Sequence, residues 1–116
     1  MDYKLAKKLK NAGFVQRKWK YAFYYVEGLK NKAGEDMIVL YCDLDNFKGE
    51  KVYIPDLKEL IETCEEDFAN LRKYAQWEAE GGKYLGDAYE EEWEFLQKGE
   101  TPEEAVANLW IELNKK

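Results

Sequence analysis

The apolar residues of this chain fall in short segments whose period changes along the sequence, and that pattern limits the fold more than any other feature. Leu5, Ala6, Leu9 and Ala12 recur at helical spacing between lysines, and Gly13 follows where a left-handed C-terminal residue belongs, so residues 3–12 read as a short amphipathic helix. Phe14 is expected to pack back onto it. From Trp19 to Val26 the period drops to two: Trp19, Tyr21, Phe23 and Tyr25 alternate with Lys20, Ala22, Tyr24 and Val26, which predicts a strand with an aromatic face. The apolar run Met37–Cys42 predicts a second, central strand beyond a polar turn, and Val52-Tyr53-Ile54 a third, giving an antiparallel meander. Asp43-Leu44-Asp45-Asn46 and Gly49 supply the turn between them.

Helical period returns in the second half. Asp56, with Glu59 three residues on, forms an N-cap arrangement, and Leu57, Leu60, Ile61, Cys64, Phe68, Leu71 and Ala75 continue a stripe that predicts a helix reaching about residue 75. Residues 76–80 fit either its last turn or a short strand. Residues 85–96 have helical spacing, although Glu94 and Phe95 also suit an edge strand. Thr101, Pro102 and Glu104 then make a complete helix start, and Ala105, Val106, Leu109, Trp110 and Leu113 line one face of a final helix with Trp110 as its core anchor. The expected fold class is α+β: one domain over residues 1–116, with a small antiparallel sheet of about three to four strands packed by an N-terminal, a central and a C-terminal helix.

With 46% hydrophobic and 16% aromatic residues the chain has material for a packed core, which excludes disorder. No apolar run approaches the roughly 18 residues needed to cross a bilayer, and the charged opening is not a signal peptide, so a cytoplasmic protein without a membrane partner is expected. Cys42 and Cys64 lie in apolar stretches and read as buried free thiols.

There is no His and no Ser. That removes Ser-His-Asp and Cys-His nucleophilic sites, His-ligated zinc and the commonest general base near neutral pH. We expect no enzyme activity, no cofactor and no metal. Asp43-Leu44-Asp45-Asn46 lacks the later calcium-loop positions, which are Phe47, Lys48 and Ile54 here. Glu65-Glu66-Asp67 and Glu90-Glu91-Glu92 read as solvated helix faces.

The net charge of −6 hides an asymmetry. Residues 1–58 hold 12 Lys/Arg against 8 Asp/Glu, and residues 59–116 hold 6 against 16. Two candidate interaction surfaces follow: a basic one with Lys7, Lys10, Arg17 and Lys18 beside Phe14, Trp19 and Tyr21, and an acidic one with Glu90, Glu91 and Glu94. Because the whole chain has a pI of about 4.8, nucleic acid is not the expected partner. Another protein is, with oligomeric state open. Two alternatives stand beside a non-catalytic protein-binding accessory role: an acidic nucleic-acid mimic that inhibits a nuclease or defence protein, and a nucleic-acid-binding regulator using the basic N-terminal patch.

The segments Leu5-Ala6-Lys7-Lys8-Leu9-Lys10-Asn11-Ala12-Gly13-Phe14, Pro55–Cys64, Trp77-Glu78-Ala79 and Thr101-Pro102-Glu103-Glu104-Ala105-Val106-Ala107-Asn108-Leu109-Trp110 together resemble a loose group of small bacterial and prophage proteins. They cover roughly a third of the chain. The resemblance implies helices packed on a small sheet and residence in mobile elements, and it implies no activity. In that group a glycine commonly follows the cysteine, where this chain has Glu65, and the acidic stretch from Tyr84 to Phe95 is extra length.

Overall fold

A computed structural model describes residues 1–115, and its class is α+β with small antiparallel sheets. Two compact units divide the chain, Met1–Pro55 and Asp56–Lys116. The charge asymmetry follows this division: residues 1–55 hold 11 Lys/Arg against 7 Asp/Glu, net +4, and residues 56–116 hold 7 against 17, net −10. Among the described residues no helix is long and apolar enough to cross a membrane.

In the first unit, helix α1 (Tyr3–Asn11) starts where the Asp2 carboxylate accepts the Leu5 N–H at 2.8 Å. It ends as its composition predicts, with Gly13 at φ +96 and the Phe14 N–H turned back to the Leu9 carbonyl at 2.9 Å. Leu5, Ala6, Leu9 and Phe14 are buried. Strands β1 (Phe23–Lys30), β2 (Asp36–Leu40) and β3 (Lys51–Ile54) form an antiparallel sheet in the order β2-β1-β3. Ala6 packs with Tyr25 and Val52 on one face of it. Tyr24 meets Tyr53 and Tyr41 on the other.

The sheet corrects three expectations. The central strand is β1, not the one after it, and β3 pairs with β1, so the three do not make a meander. Burial agrees with the order: Tyr24, Tyr25 and Val26 of the central strand are all buried, between Ala6 of α1 on one face and Tyr41 and Tyr53 on the other, whereas Met37 and Ile38 are exposed. A short 3-10 helix over Tyr41–Asn46 takes the end of the apolar run, buries Leu44 and leaves Cys42 exposed rather than buried. Residues 19–22 form a turn, closed by the Ala22 N–H on the Trp19 carbonyl at 2.8 Å, so Trp19 and Tyr21 precede the strand instead of lining its face.

In the second unit, helix α2 (Leu57–Cys64) is capped by Asp56, whose carboxylate accepts the Glu59 N–H at 2.8 Å. It stops at Cys64 and does not reach residue 75. Glu65 takes φ +54, a short 3-10 helix spans Glu65–Asp67, and Phe68–Lys73 is strand β4. Three successive carboxylates follow the negative end of the helix dipole, an unfavourable place for them, and the pairing of Phe68–Lys73 with the next strand outweighs that cost. Phe68, Leu71 and Ala75 keep helical spacing by coincidence. Strands β5 (Trp77–Tyr84) and β6 (Trp93–Gly99) complete an antiparallel sheet in the order β4-β5-β6, so the meander lies here. The helical reading of 85–96 gives way to a loop followed by β6, and neither acidic triplet lies on an α-helix face.

Helix α3 (Pro102–Leu113) begins as its sequence predicts. The Thr101 hydroxyl accepts the Glu104 N–H at 3.1 Å, and the Glu104 carboxylate reaches back to the Glu100 N–H at 3.4 Å. Ala105, Val106, Ala107, Leu109 and Trp110 are buried where α3 packs on β5, β6 and α2. Gly81 of β5 lets the chain before β4 approach closely: a Cβ there would lie 2.1 Å from the Asp67 carbonyl oxygen.

Candidate functional site

The basic surface expected from the sequence separates into two groups. Lys7 and Lys10 both pair with Glu50, Lys10 at 3.1 Å, and the Lys10 ammonium also donates to the Lys51 carbonyl at 2.8 Å. Burial, then the neighbouring Lys7, pulls the Lys10 ammonium below its ordinary pKa. These two lysines bind the chain to itself. Arg17 and Lys18 stand apart and, with Trp19, line a surface hollow of about 420 Å³.

Trp19, which lines that hollow, is followed in the chain by two further exposed aromatic rings, Tyr21 and Phe23. Trp19 and Tyr21 are each 55% exposed and Phe23 52%. Trp19 meets Tyr21 edge-on at 5.1 Å between centroids, and the Lys20 ammonium lies 4.8 Å from the centre of the Tyr21 ring. The segment carrying them is anchored at several points. The buried Tyr24 donates its hydroxyl to the Arg17 carbonyl, and Gln16 donates to the Phe14 carbonyl at 2.9 Å while its side-chain oxygen accepts the Tyr53 N–H at 2.8 Å. Interleaved aromatic and basic residues signalled this surface in the sequence. The signal did not show that Lys7 and Lys10 leave it, because Glu50 is 40 residues or more from both.

The acidic candidates gather at one end of the second sheet. Phe68 of β4, Gly81 of β5 and Phe95 of β6 lie in register, so the residues before β4, after β5 and before β6 meet at that end. Glu65, Glu66 and Asp67 come from the first of these segments, Asp87, Glu90, Glu91 and Glu92 from the loop between β5 and β6, and Glu94 from the start of β6; all eight are exposed. Glu91 accepts from Asn70 at 3.1 Å and from the Trp93 indole at 2.8 Å, which ties the loop to β4. Glu94 accepts the Lys83 N–H at 3.4 Å, and Glu90 donates its backbone N–H to Asp87 at 2.9 Å. The N–H groups of Tyr89 and Glu90 hold the Asp87 carboxyl below its usual range.

Sequence reasoning missed the ion pairs of Arg72 in this sheet, with Glu78 at 3.8 Å and with Glu80. Glu80 is buried, and Arg72, one strand away, reaches its carboxylate at 2.5 Å. The signal was the opposite charges on facing strands, visible only once residues 68–73 are read as a strand. Among the described residues, no three Cys, Asp or Glu side chains come together as a metal-ligand group. Burial, reinforced by Asp67, pushes the Cys64 thiol up to about 12. Compared with protein-family models, with curated proteins and with solved structures, the chain matches none.

Proposed function

We propose that this chain is a non-catalytic protein-binding accessory factor, in the bacterial or phage setting that its resemblance implies. It grips its partner through Trp19, Tyr21 and Phe23, with Arg17 and Lys18 at the rim. The observation that carries this reading is three half-exposed aromatic rings on a segment anchored by Tyr24 and Gln16. Aromatic and arginine side chains supply most hot-spot energy in protein interfaces, and an anchored segment loses little conformational freedom on binding. The absence of His and Ser supports a role without chemistry. Recognition of nucleic acid by this face is the weaker reading, because Lys7 and Lys10 are held together on Glu50, which offsets one of their two charges, and the whole chain is acidic.

The test is to recover the partner from the native host on the full chain and compare its affinity for a Trp19→Ala/Tyr21→Ala variant. Removal of two hot-spot aromatics should weaken binding by about a hundredfold or more. Unchanged affinity would remove this surface from the interface, and tight binding of an oligothymidylate instead would favour nucleic acid.

A second reading, an acidic mimic of nucleic acid, is favoured by the eight exposed carboxylates at one end of the β4-β5-β6 sheet. Its partner would be basic and its binding steeply salt-dependent. Glu90→Lys/Glu91→Lys/Glu94→Lys should abolish that binding with the fold intact; persistence of binding would exclude the mimic.

A further inference from the structure

The two edges of the first sheet are treated differently by the rest of the unit. In an antiparallel ladder alternate residues direct their N–H and C=O to one neighbour and then to the other side. The Glu27 N–H donates to the Glu50 carbonyl at 2.9 Å, so Tyr25 and Phe23 also bond toward β3, and the intervening Tyr53 and Lys51 face outward from that edge. One outward group of each is occupied by a side chain. The Tyr53 N–H donates to the Gln16 side chain, and the Lys51 carbonyl accepts from Lys10, each at 2.8 Å. Side chains thus close the β3 edge to further strands.

Among the described residues, no side chain hydrogen-bonds to the backbone of β2 in this way. The Tyr41 N–H donates to the Ala22 carbonyl at 2.9 Å, so in the same register Val39 bonds with Tyr24, while Ile38 and Leu40 turn their backbone groups away from β1. The edge carries Met37-Ile38-Val39-Leu40 without a charge or a proline, features with which natural sheets protect free edges, and its pairing with β1 becomes irregular only at the Met37 end, between Ile38 and Asp36. Ile38 is 55% exposed and lies in register with Tyr25, on the face that Ala6 of α1 covers farther along the sheet.

Charge at the two ends of β2 selects what can pair there. Glu35 precedes the strand and Asp43 and Asp45 follow it, all exposed, while Asp36 is paired with Lys30 at 2.6 Å. A second copy laid along β2 in either direction would bring exposed carboxylates together at both ends of the paired strands, from Glu35 on one side and from Asp43 and Asp45 of the following 3-10 helix on the other. Repulsion between like charges opposes both arrangements. We infer that the β2 edge is a docking strand for an extended apolar segment of a partner protein that carries Lys or Arg on both sides, added to the sheet by backbone hydrogen bonds to Ile38 and Leu40.

This rests on the protein-binding reading above, and the experiment separates the two. The full chain is titrated with a synthetic peptide of five alternating valines and threonines flanked by two lysines at each end. Binding is followed by NMR at the amides of Ile38 and Leu40, with three comparisons: glutamate flanks, N-methylation of alternate peptide residues, and the Ile38→Pro variant. Proline is tolerated on an edge where its missing N–H faced solvent, so Ile38→Pro should keep the fold and weaken binding about tenfold or more. The N-methylated and glutamate-flanked peptides should weaken it likewise, and the N-methylated one decides the matter should Ile38→Pro fail to fold. No binding at millimolar peptide, or equal binding of the N-methylated form, overturns the inference. Shifts confined to Trp19 and Tyr21 overturn it while leaving the protein-binding reading in place. Self-association of the chain that Ile38→Pro abolishes would give the edge to a second copy instead.

Discussion

Replacing Glu65 with glycine should stabilise the second unit. Glu65 closes α2 at φ +54 and ψ −133, where its Cβ crowds the backbone, and it is the described non-glycine residue with positive φ. A side chain held in such a region costs about 1–3 kcal/mol. Glycine removes that cost but adds about 0.5–1 kcal/mol of chain entropy to the unfolded state, so the net gain is about 1 kcal/mol. Glu65 is exposed, so no packing is lost. For a unit of this size the gain should raise the Tm by about 4–8 °C, read by thermal and urea denaturation. Glu65→Ala is the control. It removes the same negative charge from the helix C-terminus, worth about 0.3–1 kcal/mol, and keeps the Cβ. A glycine variant no more stable than the alanine variant would show that strain at residue 65 does not limit stability.

Trp110→Ala should destabilise by about 3–5 kcal/mol, because its ring fills the buried face of α3; a urea midpoint within error of wild type would contradict that placement. Thr101→Ala should cost about 1 kcal/mol by freeing the Glu104 N–H, and an unchanged midpoint at unchanged slope would mean the cap contributes nothing. Cys42, exposed, should react with a thiol reagent in the native protein while the buried Cys64 does not; simultaneous reaction of both would refute the difference. Because folding raises the Cys64 pKa from 9.0 to about 12, its thiol favours the folded state fully below about pH 9, and that contribution is lost as pH rises from there toward 12. A Cys64→Ala variant should show a flatter stability profile over that range; an identical slope would exclude the linkage.

The candidate surfaces differ in how far sequence alone locates them. Arg17, Lys18, Trp19 and Tyr21 are neighbours in the chain, so their association needs only a local turn, and the interleaving of charge and ring was visible directly. The acidic end needs three segments brought together by strand register, and reading 57–75 as one helix hid it. The uncovered β2 edge was hidden for the same kind of reason. Met37–Cys42 looks like a central strand by composition, and its edge position depends on where β3 pairs.

The sequence by itself determined the starts of the central and C-terminal helices, through Asp56 and Thr101, the place of the N-terminal helix through its apolar period, the turn at Gly13 and the α+β class, because capping and periodicity act within a few residues of the chain. Tertiary structure alone decided that β1 lies between β2 and β3, that the chain leaves helix at Glu65 to pair β4 with β5, and that Lys7 and Lys10 fold inward onto Glu50. Each of those outcomes joins residues distant in sequence. Their free energy comes from burial and pairing that exist only once the sheets have assembled, which no local pattern encodes.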